Sequence, residues 1–260
     1  MRRRILTELA STPDLISGIY NYCDRWCERC PLTSRCLVYA TEQEDEHNSP
    51  ASHDIRNEAF WSKLRSIFEE TQEMIAEWAK DAGVDLSNVD EDDTKVRKRK
   101  RQLVDNHPLA RAGKRYANAA SDWLREFDRN VEVSDLRPTE SDRKQAEQLE
   151  DAREVIQWYQ YQIAVKTIRA LSGRTDGWED HPDMTDVPKD SDGSAKVALI
   201  GIDRSIAAWR IVQLAVPERS SSIVPLILQL ERLRQSVEKS FPEARDFVRP
   251  GFDEVLGAAN

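Results

Sequence analysis

Residues 193–216 read Gly-Ser-Ala-Lys-Val-Ala-Leu-Ile-Gly-Ile-Asp-Arg-Ser-Ile-Ala-Ala-Trp-Arg-Ile-Val-Gln-Leu-Ala-Val, and Pro217 follows them directly. Apolar residues dominate this stretch without the regular alternation that a half-buried strand shows. Proline lacks a backbone N–H and stops a helix that runs into it. The stretch therefore predicts a buried helix that ends near Val216.

Four other long helices are predicted along the chain. One of them has Phe60, Leu64, Ile67, Met74 and Trp78 at helical spacing. Strand-like alternation persists nowhere. We therefore predict an all-α protein, an antiparallel bundle of about five long helices with a short N-terminal cysteine-rich helical segment. The four further helices have the predicted ranges 54–82, 108–129, 139–172 and 221–240.

The predicted domain organisation has two parts. A cysteine-rich metal-binding segment covers residues 1–46, and a helical bundle domain covers residues 47–260, with the segment docked against the bundle. Thr12 has the character of an N-cap, so we expect a first helix to begin there and to run into the cysteines as far as Pro31.

Charge and length limit the protein's class and location. Of its 260 residues 33% are charged, and the formal net charge is −9, which disfavours nucleic acid and anionic membranes as partners. No apolar run approaches the roughly 20 residues that a bilayer-spanning helix needs. Three arginines near the N-terminus could begin a secretory signal, but Glu8 and Asp14 interrupt the apolar stretch that should follow them. We expect a cytoplasmic protein with reduced thiols, a protein partner and no membrane.

All four cysteines of the chain lie in one short stretch, as Cys23, Cys27, Cys30 and Cys36. Their spacing is C-x3-C-x2-C-x5-C, and such clustering predicts a shared metal centre. Two other readings stay open. The first three cysteines lie on one face of a helix and would pack there as small hydrophobes. Two disulfides are the other reading, which a reducing compartment disfavours.

The spacing favours an iron–sulfur cluster over zinc. On an intact helix, Cys23 and Cys30 would be displaced by about 10.5 Å along the axis, whereas zinc needs sulfurs within about 3.8 Å of one another. A [4Fe–4S] cluster is a larger body, and tight runs of cysteines commonly hold it. We therefore expect Cys23, Cys27, Cys30 and Cys36 to bind a [4Fe–4S] cluster for electron transfer or redox sensing. The alternative is a zinc-stabilised interaction module without redox chemistry.

Two family resemblances involve these cysteines. C-x3-C-x2-C resembles the cluster loop of radical S-adenosylmethionine enzymes, but Arg29 replaces the usual aromatic residue and no β/α barrel is predicted, so we reject that reading. Together with residues 192–205, the cysteine segment also resembles a bacterial all-helical family. That resemblance implies a helical fold and no function.

Charged residues inside apolar helices form the second candidate site. Asp203 and Arg204 interrupt the apolar stretch, so we expect them to be partly buried and paired. Lys166 is the predicted partner of Asp203, and Glu154 and His107 are candidates for the same polar network. The simplest role for this network is a structural ion pair, and a ligand pocket is the alternative.

A basic run, residues 95–101, supports a third functional class. It reads Lys-Val-Arg-Lys-Arg-Lys-Arg and would suit phosphate backbones. The acidic residues 90–93 directly before it neutralise it locally, so we do not expect nucleic-acid binding.

We identify no nucleophilic triad, glycine-rich phosphate loop or defined carboxylate pair, and the sequence assigns no enzymatic activity.

Overall fold

The computed structural model of the protein describes residues 12–48, 55–86, 91–129, 140–184 and 187–254. These residues form seven α-helices and several short 3₁₀ turns, with no β-strand among them. Five of the helices have 21 to 37 residues, so the predicted all-α bundle of about five long helices is confirmed. The helices are α1 (Leu37–Asn48), α2 (Glu58–Asp81), α3 (Glu91–Asn106), α4 (Pro108–Arg129), α5 (Glu140–Asp176), α6 (Asp190–Ala215) and α7 (Ser220–Ser240).

Contacts divide the chain into two compact units. The first unit extends to residue 97, and a metal-binding segment over residues 1–46 stays a prediction. The first unit takes the described parts of Met1–Tyr20, Arg25–Arg97 and Pro250–Phe252, and the second takes those of Asn21–Asp24, Lys98–Arg249 and Asp253–Asn260.

The second unit is an up-down-up-down bundle of α4 to α7. Helix α5 packs on α4 and α6, and α7 packs on α6 and α4. Gly113 near the start of α4 meets Ala164, whereas Asp128 near its end pairs with Arg153, so α4 and α5 run in opposite directions. Helices α5 and α6 are also antiparallel, because Gly173 lies near Ser191 and Gly201 lies near Tyr159. Helices α6 and α7 are antiparallel as well, because Asp203 pairs with Arg234 and Arg210 pairs with Glu231.

Helix α6 is the centre of this bundle, as the apolar stretch predicts. Leu199, Ile202 and Trp209 are completely buried. Gly201 permits the close approach of α5, because a Cβ there would lie 2.9 Å from the Tyr159 ring. Among the described residues no single helix has the length and hydropathy to cross a bilayer, and only α6 and the following chain to Ser240 together, bent by 117°, reach that composition.

The N-terminal part of the chain differs from the prediction. Instead of one helix from Thr12 to about Pro31, short 3₁₀ turns lie at Ile19–Asn21, Cys27–Arg29 and Thr33–Arg35. Arg25 takes a left-handed φ of 57°, which an α-helix does not allow. The prediction of a continuous helix here is therefore wrong. Thr12 suits an N-cap, but the residues that follow it have no sustained apolar face that would stabilise a helix.

Asp253 binds two basic residues of the second unit, Arg249 and Lys196. Its carboxylate accepts hydrogen bonds from the Arg249 backbone N–H at 3.1 Å and from the Arg249 guanidinium at 2.9 and 3.0 Å, and it pairs with Lys196 at 2.9 Å. Burial alone would raise the pKa of Asp253, but the hydrogen bonds from Arg249 and Lys196 outweigh it and hold that pKa well below its ordinary value of 3.8.

This carboxylate should make stability depend on pH. At pH 7 we expect Asp253→Asn to lower the free energy of unfolding by about 1–3 kcal/mol. Because the folded-state pKa is depressed, the stabilisation is present above about pH 4 and is lost as the pH falls through the folded-state pKa. Urea unfolding should show the gap between the two proteins at pH 7 and a smaller gap near pH 3. Equal stability at pH 7 would contradict this role.

Candidate metal centre

Two short turns of the same form each lead to a cysteine. Cys27–Arg29 and Thr33–Arg35 are single 3₁₀ turns, each ending in arginine and followed by Cys30 or Cys36. The backbone N–H of each following cysteine donates to the carbonyl of its turn's first residue, at 3.1 and 3.2 Å. Both cysteines then take extended backbone angles. The cysteines thus lie on repeated turns, and the predicted helical face does not form.

The sulfur of Cys30 accepts a backbone hydrogen bond. The N–H of Leu32 lies 3.4 Å from Cys30 Sγ, with Pro31 between the two residues. Hydrogen bonds to the sulfurs are among the features that set the potential of an iron–sulfur cluster. All four cysteines are half-buried and none is in a disulfide. The donor chemistry therefore fits a thiolate-bound metal.

Cys23 lies between two residues that are fixed on the helical bundle of the second unit. The ring of Tyr22 packs on Phe247, with ring centroids 4.7 Å apart, and fits against Gly193, where a Cβ would lie 2.4 Å from it. Burial and the neighbouring Asp190 carboxylate raise the pKa of Tyr22 to about 12. Tyr22 therefore stays protonated and acts as an anchor.

Asp24 is the second anchor, and the sequence analysis did not predict it. Its backbone carbonyl accepts hydrogen bonds from Trp158 Nε1 at 3.0 Å and from the Gln162 side chain. Its carboxylate accepts one from Arg204 at 2.7 Å and another from the Tyr159 hydroxyl. Burial and this carboxylate raise the pKa of Tyr159. Asp24, the residue next to Cys23, is thus bound to both α5 and α6.

Cys23 belongs to the second unit, whereas Cys27, Cys30 and Cys36 belong to the first. Among the described residues no three His, Cys, Asp or Glu side chains lie close enough together to hold a metal ion. Thiolates are metal ligands, and the convergence of the four cysteines on one metal stays a prediction.

The predicted polar network forms with different partners. Asp203 is partly exposed and pairs with Arg245 at 2.7 Å and Arg234 at 3.4 Å, in place of Lys166. Lys166 donates to the backbone carbonyl of Asn21 at 3.3 Å. Arg204 is exposed and binds Asp24.

The remaining two candidates of that network have other positions. His107 accepts a hydrogen bond from the Leu109 N–H at 3.2 Å through Nδ1, so it caps α4. Glu154 lies on an exposed face of α5. Asp203 and Arg204 thus form ion pairs and His107 caps a helix, and within the described residues the five candidates line no common pocket.

The basic run forms an exposed face of α3. Lys100 pairs with Asp176 at 3.8 Å, and Arg101 lies 3.9 Å from Asp105. The side chains of residues 90–93, the predicted neutralising group, lie outside the described residues.

We expect no binding of this run to nucleic acid at physiological salt, because the net charge of −9 repels it. Electrophoretic mobility shifts with duplex DNA and with RNA test this. A salt-sensitive complex that charge reversal at Arg97, Arg99 and Arg101 abolishes would contradict the expectation.

No known family, curated protein or solved structure matches this chain. Its class is therefore defined by the fold, as an all-α protein with a four-helix bundle. The function must be argued from the residues themselves.

Proposed function

We propose that Cys23, Cys27, Cys30 and Cys36 supply thiolates to one metal centre, and that this centre is a [4Fe–4S] cluster used in electron transfer or redox sensing. The hydrogen bond from the Leu32 N–H to Cys30 Sγ is the observation that carries the proposal, because hydrogen bonds to the sulfurs are part of the environment that sets the potential of an iron–sulfur cluster. When bound, a cluster supplies one-electron transfer. Such a role implies a protein partner, and reduced thiols imply the cytoplasm.

Metal binding in this proposal includes a local rearrangement. The thiols are half-buried and lie on short turns, which adjust more easily than a continuous helix does. The cysteines converge when they bind the metal, and the free energy of binding then stabilises the segment. Tyr22 and Asp24 hold the chain on either side of Cys23, so the backbone of this ligand is fixed on the bundle.

A structural zinc site is the second candidate, and one observation favours it. Zinc was disfavoured because an α-helix would separate Cys23 from Cys30 along its axis. The described segment is built of turns, so that argument no longer holds. Tetrahedral zinc with four thiolates would then serve as a fold-stabilising interaction module.

Metal analysis of protein purified without oxygen distinguishes the two candidates. We expect brown protein with broad visible absorption, about four irons per chain and matching acid-labile sulfide. Colourless protein with one zinc per chain would reject the cluster and support the structural site. Protein without stoichiometric metal, even after reconstitution with iron and sulfide or with zinc, would reject both.

A further inference from the structure

An open groove of about 960 Å³ lies between α4 and α7 in the second unit. Its lining includes the small side chains of Ala112 and Ala119, and next to them lie Leu109 and Leu233. Small residues at this interface leave space that larger side chains would fill. The volume is in the range of small-molecule binding sites, which are mostly apolar with a few placed polar groups.

Three cations surround this apolar lining. Arg115 comes from α4, and Arg232 and Lys239 come from α7. Of the described residues that line the groove, only Asp122 is acidic, and its carboxylate already pairs with Arg125. The groove is therefore positively charged in a protein whose net charge is −9.

Other arginines of the same unit bind carboxylates. Arg169 pairs with Asp190 at 3.1 Å, and Arg245 pairs with Asp203 at 2.7 Å. Within the described part of the chain, the charged groups of Arg115, Arg232 and Lys239 make no ion pair. The acidic side chains of this protein thus leave the groove cations available to a ligand.

We propose that this groove binds a small organic phosphate, such as a nucleotide. The planar guanidinium groups of Arg115 and Arg232 suit phosphate oxygens, and Lys239 adds a third positive charge. The organic part of the ligand lies on the half-buried Ala112 and Ala119. This site is separate from the proposed metal centre, so either can fail without the other.

Isothermal titration calorimetry with ATP at about 50 mM salt tests the proposal. We expect the wild-type chain to bind ATP, and the double variant R115Q/R232Q to bind it about 10-fold more weakly or worse. Arg111→Gln is the matched control, because Arg111 is exposed on the same helix and does not line the groove. Circular dichroism verifies that each variant is folded.

Three results would overturn the proposal. The first is no heat of binding with wild-type protein. The second is equal weakening by Arg111→Gln, which would indicate unspecific attraction. The third is binding only to short duplex DNA or to phosphatidylglycerol vesicles, which would assign the cations to a macromolecule or a membrane surface.

Discussion

Replacing Cys30 by serine is expected to remove the metal centre, from about four irons per chain to fewer than one, with loss of the visible absorption. A serine hydroxyl is a poor substitute for a thiolate, and the variant also loses the sulfur that accepts the Leu32 N–H. Iron and sulfide analysis of protein purified without oxygen measures the effect. The same loss is expected for serine at Cys23, Cys27 or Cys36.

Asp203→Asn is the control for this experiment. Asp203 pairs with Arg234 and Arg245 on the bundle surface, so its replacement should change neither colour nor metal content. If the Cys30 variant kept the full metal content, Cys30 would not be a ligand. If the wild type carried zinc and the Cys30 variant lost it, the structural zinc site would be supported and the [4Fe–4S] cluster rejected.

The largest expected effect on stability comes from Trp209→Ala. Trp209 is completely buried on α6, its ring meets Trp123 edge to face at 4.9 Å, and its Nε1–H donates to the Tyr116 hydroxyl at 3.0 Å. Truncation leaves a cavity and removes the partner of a buried hydroxyl. We expect the free energy of unfolding to fall by about 3–5 kcal/mol.

Trp178→Ala is the matched control, because Trp178 belongs to the same unit and is 47% exposed. Its replacement should cost less than about 1 kcal/mol. Urea unfolding followed by circular dichroism compares the three proteins. A loss below about 1 kcal/mol for the Trp209 variant would mean that α6 is not the centre of the bundle core.

The bundle could be predicted because its sequence signals are local. A helix stop such as Pro217 and apolar spacing such as that of α2 depend only on neighbours in the sequence. The predicted range 108–129 matches α4, and the other long helices differ by a few residues at their ends. Spacing alone also located the four cysteines, although their convergence on a metal remains a prediction.

Pairing between distant residues could not be predicted in the same way. Lys166 suited Asp203 by charge, but the actual partners are Arg234 and Arg245, which α7 and the chain after it bring to that position. Residues 12–36 lack a repeated apolar face, so no local pattern indicates the contacts that Tyr22 and Asp24 make with the bundle. The groove between α4 and α7 likewise depends on which small residues meet across two helices.

The position of Asp24 has a consequence for the newly made chain. Asp24 and Arg204 are 180 residues apart, so at about 5–20 residues per second a ribosome needs about 10 to 40 s to supply the partner. Throughout that interval the neighbouring Cys23 has no folded bundle beside it. Under the proposed function, the contacts that hold Cys23 in place are therefore complete only after Arg204 has been synthesised.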